Sequence, residues 1–263
     1  MSQPPGFDEK AARRVEAVYT TADVAAQRDI LLEIVAPRPG ERVLDLGSGP
    51  GFMALEAGRM VGEGGAVFGV DKSAPMLALA EKRCASQPHV SFREADALRL
   101  PFEDGGFDAA IISQVYEYVT EMEAALAELF RVLRPGGRAL IMDTDWGSLV
   151  WNAQDAVRAK RIFRAWDAHL ADPHLPRRLS SLLKCAGFEI VDARVLPLLN
   201  TEYPAENYSH GMVSVIVPFV IRRGGVPKEE AKAWAEDLTV LGERGEYFFS
   251  LNRYAFLARK PGA

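Results

Sequence analysis

The chain has 263 residues, room for one α/β domain with an embellishment or a small cap. Its 48% apolar and 25% charged content is ordinary for a globular protein, and a net charge of −5 excludes a broad basic field for nucleic acid, though not a local basic patch. Met1 to Gly6 lacks the basic-then-apolar build of a signal peptide, and the longest apolar run, Met212 to Ile221, is about half of a bilayer span and holds Pro218, so a cytoplasmic protein without a membrane span is expected.

In chain order, residues 8–35 read as one or two helices, with Val15, Val18, Ile30, Leu31 and Ile34 at apolar positions and Asp23 as a capping candidate. Ala36 to Gly40 breaks the chain before a first strand. Val43-Leu-Asp-Leu-Gly-Ser-Gly-Pro-Gly-Phe52 then reads as strand, glycine-rich turn and helix. Such a turn offers a ligand bare backbone N–H groups and the positive end of a helix, with Pro50 suited to the helix entrance. A dinucleotide fingerprint would place its third glycine at Phe52, so the spacing speaks against a nicotinamide oxidoreductase.

Ala66 to Asp71 is a second strand, ending in an acid that can accept hydrogen bonds from both hydroxyls of a ribose. Ser73 caps the helix that follows, in which Met76 has either a core or an adenine-facing place. Val90 to Asp96 is a third strand, and Phe107 to Ser113 a buried fourth, leading into Gln114-Val-Tyr-Glu-Tyr118. A helix over residues 124–133 is followed by Arg134-Pro-Gly-Gly137 and a fifth strand, Arg138 to Asp143. Beyond it lie helices over 153–170 and 177–186, a strand from Phe188 to Leu196, two helical patterns within 204–242, and a last strand from Glu246 to Leu257. Cys84 and Cys185 each sit in a helical pattern and are expected as buried free thiols; no His/Cys cluster suggests a metal.

The Asp-x-Gly-x-Gly-x-Gly run from Asp45 to Gly51 resembles motif I of the class I S-adenosylmethionine (SAM)-dependent methyltransferases, above all the ubiquinone/menaquinone-biosynthesis type and its small-molecule relatives. Asp71, the Leu-Pro-Phe102 … Phe107-Asp pairing and Leu133-Arg-Pro-Gly-Gly137 match that family's later stations. The resemblance implies a Rossmann-like, doubly wound α/β sheet of seven strands with an antiparallel last strand. It also implies a helical lid over 1–39, a SAM-binding core over 40–202 with a helical insertion near 147–176, a helical cap over 203–243, and the last core strand within 244–263.

The same resemblance places SAM, and its product S-adenosylhomocysteine, against Asp45, Gly47, Ser48, Gly49, Gly51, Asp71, Lys72, Met76, Asp96, Ala97, Ser113 and Gln114. Asp96 and Ala97 would hold the adenine, and Tyr19 and Arg28 would close over the methionine end, Arg28 as a fork on its carboxylate. The plain alternative for that segment is helical packing against the sheet. The methyl acceptor is expected to be a small, apolar or aromatic molecule, near Tyr19, Asp145, Trp146, Tyr203, Tyr208, His210 and Met212. Glu117 and His210 are the candidates for catalytic contact, each with a bland alternative as an ordinary helix acid or surface histidine. Asp143 and Asp145 share one side of their strand, and one of the two has an open structural reading. The insertion's apolar residues line the acceptor, pack the cap, or bury a dimer face; monomer and homodimer stay open. Two rivals remain: a nicotinamide oxidoreductase, and a SAM-binding protein that transfers no methyl group.

Overall fold

The computed structural model describes residues 9–262; the N-terminal stretch read above for a signal peptide, and the first eight residues of the expected lid, lie outside them. Two helices lead, α1 (Glu9–Tyr19) and α2 (Ala22–Val35). The strands and helices then alternate: β1 (Arg42–Leu46), α3 (Phe52–Val61), β2 (Ala66–Asp71), α4 (Ala74–Cys84), β3 (Val90–Glu94), β4 (Phe107–Ser113), a short 3₁₀ turn (Tyr116–Tyr118), α5 (Met122–Val132) and β5 (Leu133–Trp151). The second half adds α6 (Ala156–Asp167), α7 (Pro176–Cys185), β6 (Glu189–Asn200), α8 (Tyr208–Arg222), α9 (Lys228–Glu243) and β7 (Phe249–Arg259).

The seven strands form one sheet in the order β3-β2-β1-β4-β5-β7-β6. Strands β1 to β5 run parallel, and β7 is antiparallel to both its neighbours. The central strands are nearly continuous apolar runs, Val43, Leu44 and Leu46 in β1 and Ala109 to Ile112 in β4, because a parallel sheet is covered on both faces. One face packs α5 and α7 through Leu126, Leu129, Leu179 and Leu183; the other packs α2 and α3 through Leu31, Val35, Ala54 and Ala57. Strand order reverses between β1 and β4, and the crevice at their carboxyl ends is where an open α/β sheet accepts ligands.

A third apolar core lies beyond that edge. It draws Val18 and Val24 from the leading helices, Trp146 and Trp151 from β5, Ile162 and Trp166 from α6, Met212 and Ile216 from α8, and Trp234 and Leu238 from α9. Lid, insertion and cap therefore share one packed interior. Strand β5 runs well past the expected end at Asp143, because its pairing with β7 resumes at Val150 and Trp151 after an irregularity beyond Asp145. Asp23 is not the cap of α2, since it lies within the first turn and Thr21 holds the cap position; its Oδ1 accepts from Val24 N, while Oδ2 accepts from the first amide of α8, Tyr208 N, at 3.0 Å. Helix α3 starts at Phe52, with Gly51 rather than Pro50 at its entrance. Both cysteines are free, but only Cys84 is buried; Cys185 faces solvent on the outer side of α7.

Candidate active site

The first strand aims Asp45 and the glycine turn at the carboxyl edge of the sheet. Gly47, at φ 71°, allows the turn to pass under Val115: a Cβ there would lie 2.2 Å from Val115 Cγ2. Gly51, at φ 81°, has another task, since its Cα meets α4 and a Cβ would come within 2.9 Å of Ala80 Cα. Gly51 is thus a packing residue that does not line the cavity below, correcting its expected place among the ligand contacts.

A second correction concerns the amides of this turn. Gly47 N and Ser48 N donate to Val70 O at 2.7 and 2.9 Å, and Gly49 N donates to Asp71 Oδ2 at 2.9 Å. The turn folds back onto the end of β2, so these N–H groups are spent inside the protein and are not bare. No nest of open amides of the kind that cradles a phosphate is left at Gly47, Ser48 and Gly49.

Around this turn lies a cavity of about 630 Å³, within the size range of small-molecule sites. Its wall takes in Tyr19, Arg28, Asp45, Gly47, Ser48, Gly49, Asp71, Lys72, Met76, Asp96, Ala97, Ser113 and Gln114. Asp71 accepts from Gly49 N and from Ser73 N at 2.8 Å, and burial holds its carboxyl above the usual range. Asp96 accepts from Leu98 N at 3.0 Å and pairs with Lys72 at 2.7 Å; against the upward push of burial, these partners hold it low. Burial pushes the Asp45 carboxyl up to about 7, the Ala54 N–H pulling it down and Asp71 adding repulsion. Arg28 donates to Tyr19 O and lies over the Phe52 ring, its guanidinium 4.7 Å from the centroid.

Three buried polar atoms in this wall have no hydrogen-bond partner in the protein: Asp45 Oδ2, Ser48 Oγ and Gln114 Nε2. Unpaired buried polar atoms are costly, and their grouping on one cavity wall points to a polar ligand. Gln114 carries a further cost. It directly follows β4, in the left-handed region at φ 59°, which non-glycine residues enter only when their surroundings hold them there. Thr144 Oγ1 donates to its Oε1 at 2.9 Å, leaving Nε2 as the open end.

A second chamber, about 170 Å³, opens beside the first. Val15, Tyr19, Gln114, Tyr118 and Arg253 belong to both walls, so the two meet at these residues. Its remaining wall is largely aromatic and apolar, with Trp146, Trp166, Phe219, Tyr208, Met212 and Val215. Glu117 is buried at 1% exposure, and burial pushes its carboxyl up to about 7 against the pull of Arg253. Asp143 stands behind it and accepts from Val115 N at 3.0 Å; burial and the Glu117 charge drive its carboxyl well up. His169 stacks on Trp166 at 3.7 Å, and burial lowers its pKa to about 4, so the ring is neutral near pH 7. A carbonyl only accepts, so His169 Nδ1 donates to Trp166 O, and Nε2 keeps its lone pair.

Three of the expected acceptor residues stand elsewhere. Asp145 is tied to Arg177 at 2.9 Å and to His174 at 3.1 Å, which hold its carboxyl low despite burial; it anchors α7 to β5 and lines neither chamber. Tyr203 and His210 lie against each other with ring centroids 4.6 Å apart and planes tilted by 50°, and Tyr203 also lies against Tyr247, outside both walls. Helix α8 turns Tyr208, Met212 and Val215 inward, and its periodicity carries His210 to another face.

Sequence reading gave no site role to Arg253 or Trp166, both of which line the second chamber. Arg253 had a visible signal. In β7 the buried face is Phe249, Leu251, Arg253 and Ala255, so a charge occupies a core position. Its Nη1 donates to Gln27 Oε1 at 2.8 Å, its Nε has no partner, and its guanidinium lies 4.8 Å from the Tyr208 ring centroid. Trp166 gave no such signal, because an aromatic residue at helical spacing is ordinary core. Among the described residues no group of three or more His, Cys, Asp or Glu is arranged to hold a metal, and no helix is long and apolar enough to cross a membrane.

Residues 44–141 match the methyltransferase-domain family. Within this chain the matched stretch runs from β1 into β5 and includes the glycine turn. Its core is similar to the 2-phytyl-1,4-naphtoquinone methyltransferase of Trichormus variabilis, 42% identical over 44% of this chain and 52% of the relative. The chain therefore spans about half the length of the quinone methyltransferases it matches. An uncharacterized 37.1 kDa protein in transposon TN4556 of Streptomyces fradiae is 29% identical over 93% of this chain and 70% of its own length. Among solved structures, the [4+2]-cyclase SpnF superposes with a TM-score of 0.61 at 23% identity, over 91% of this chain and 82% of that one. The phosphoethanolamine N-methyltransferase 2 of Haemonchus contortus, in complex with SAM, gives 0.62 at 19% identity, over 98% and 58%. At such identities the structures show the shared fold.

Proposed function

We propose that the protein transfers the methyl group of SAM to an oxygen, nitrogen or carbon of a small acceptor with an apolar or aromatic body. The observation that carries this reading is the pair of chambers that meet at Tyr19, Gln114, Tyr118 and Arg253. The larger suits the cofactor. Asp71 would accept from the ribose hydroxyls, Asp96 and Ala97 would hold the adenine, and Arg28 with Tyr19 would close over the methionine end. Asp45 Oδ2, Ser48 Oγ and Gln114 Nε2, unpaired in the protein, fit a ligand with several polar groups and a positive centre. The spent amides of the glycine turn fit a donor without phosphate better than a nicotinamide dinucleotide.

Bound SAM would supply a methyl group on an electron-poor sulfonium, open to in-line attack. The chain's own part is to hold the nucleophile in line and dry, worth up to ~7–11 kcal/mol on effective-molarity grounds. For an acceptor that must lose a proton, Glu117 is the base we assign: its carboxyl is poised near neutrality at the acceptor side of the junction. Trp146, Tyr208 and Met212 would form the acceptor wall, with residues 1–39 and 203–243 as lid and cap. We place the enzyme in the cytoplasm, as a monomer or homodimer, acting without a metal.

The test is calorimetry with S-adenosylhomocysteine on ligand-stripped protein, followed by a screen of phenols, amines and quinols for its release from SAM. Micromolar binding and product release are expected; absence of binding sinks the reading. The same screen decides a second reading. The fold is shared with a cyclase, and a protein that binds SAM yet rearranges its substrate without forming S-adenosylhomocysteine would belong with that neighbour.

A further inference from the structure

We propose that the acceptor carries an anionic group, a carboxylate or a phosphate, at the end away from the reacting atom, and that Arg14, Arg222 and Arg223 hold it at the mouth of the second chamber. This deepens the methyl-transfer reading above and rests on it. The chamber wall combines three kinds of residue. Gln114, Tyr118 and Arg253 are shared with the cofactor cavity, with Glu117 next in the chain to Tyr118; Trp146, Trp166, Met212 and Phe219 are apolar or aromatic. Arg14, Arg222 and Arg223 complete the wall, with Arg222 and Arg223 exposed to solvent and Arg14 half-buried.

These three cations belong to a chain of net charge −5, so the mouth is opposite in sign to the molecule. Among the described residues none of the three has a carboxylate within ion-pair distance. Arg222 Nε makes one long hydrogen bond, to Pro218 O at 3.4 Å. Arginines nearby are engaged: Arg13 pairs with Glu9 at 3.1 Å, Arg158 with Asp237 at 2.7 Å and Arg177 with Asp145 at 2.9 Å. The carbonyl end of α8 favours cations, which accounts for Arg222 and Arg223 in part. It does not account for Arg14, which comes from the middle of α1 and reaches the same opening. Planar forks from two elements facing one mouth suit a carboxylate or phosphate, each able to bind in bidentate fashion. A wholly neutral acceptor would leave all three to water.

The binding test uses ω-phenylalkanoates of increasing length and their primary amides, with phenylalkyl phosphates and the parent alcohols as a second pair. Binding is read from the fluorescence of the tryptophans in the chamber wall, with and without S-adenosylhomocysteine. At the best chain length the acids and phosphates are expected to bind ~10–100-fold more tightly than their neutral partners. In R14Q/R222Q/R223Q that preference should vanish, while the affinity for the amides and for S-adenosylhomocysteine stays as in the parent. Should the triple variant fold poorly, the exposed single change R223Q should still reduce the preference severalfold. Equal binding of acid and amide overturns the proposal, as does a preference that survives the three substitutions. Inorganic phosphate binding as tightly as the phenylalkyl phosphates overturns it too, reducing the mouth to a general anion patch. S-adenosylhomocysteine is measured separately, so loss of the cofactor reading and loss of this one are told apart.

Discussion

The two chambers are built by different means. The cofactor side rests on the ends of parallel strands, where a turn of residues 47–51 and acids at 45, 71 and 96 follow one another at short range. The acceptor side is assembled from α1, the 3₁₀ turn, β5, the end of α6 with the loop after it, α8 and β7, segments drawn from both ends of the chain. The first is fixed by local chain geometry, the second by side chains that meet only in the finished fold. The lesson is that substitutions on the two sides should separate donor binding from acceptor chemistry.

The largest separation is expected for Glu117→Gln, which should lower methyl transfer by ~10²–10⁴ for a phenol or protonated amine while leaving S-adenosylhomocysteine affinity within about threefold. The rate of the parent should rise with pH through about 7, because the carboxylate accepts the proton only when ionised, and the rising limb should disappear in the variant. A variant that keeps the limb assigns it to another group. Next comes Gly47→Ala. It puts a Cβ 2.2 Å from Val115 Cγ2 at φ 71°, and calorimetry should show a loss of cofactor affinity on the order of 100-fold from strain of ~1–3 kcal/mol and displaced wall. Asp71→Asn should cost the cofactor about 10–100-fold in Kd, by removing charge from its hydrogen bonds, with no change in binding of an acceptor-side probe.

A smaller effect concerns stability. The Glu117 pKa in the folded protein is raised to about 7, so the folded state holds its proton more tightly than the unfolded one. Stability supplied by the neutral form is complete below the unfolded value and is lost as pH climbs toward about 7. Glu117→Gln should therefore melt a few degrees higher than the parent at pH 8 and at the same temperature near pH 4. Equal melting at both would mean that the charge is compensated in the fold. Smallest of all is His210→Ala: with its ring against Tyr203 outside both chambers, kcat and KM should stay within about twofold.

The same contrast explains what could be read from the chain alone. Strand runs, helix caps and the glycine turn are local, so the alternation of strands and helices was legible in the residues, whereas the antiparallel last strand and the cavity residues from Asp45 to Gln114 were expected from the family resemblance. Where the amides of the turn point was not, because it depends on β2 lying one strand away. Asp145 and His210 have the chemistry of site residues, and only tertiary partners, Arg177 in one case and Tyr203 in the other, divert them. Arg253 was legible in principle from its buried register in β7, whereas Trp166 and Phe219 become wall residues only through the helix packing around them.

The lid and the cap share a single interior, pinned where Asp23 receives the first amide of α8. Any widening of the acceptor path must therefore shift the beginning of the chain and its distant second half together. Efforts to retune which molecules the second chamber admits would then need paired changes on α1 and α8, since altering one alone leaves a hole or a clash against the other.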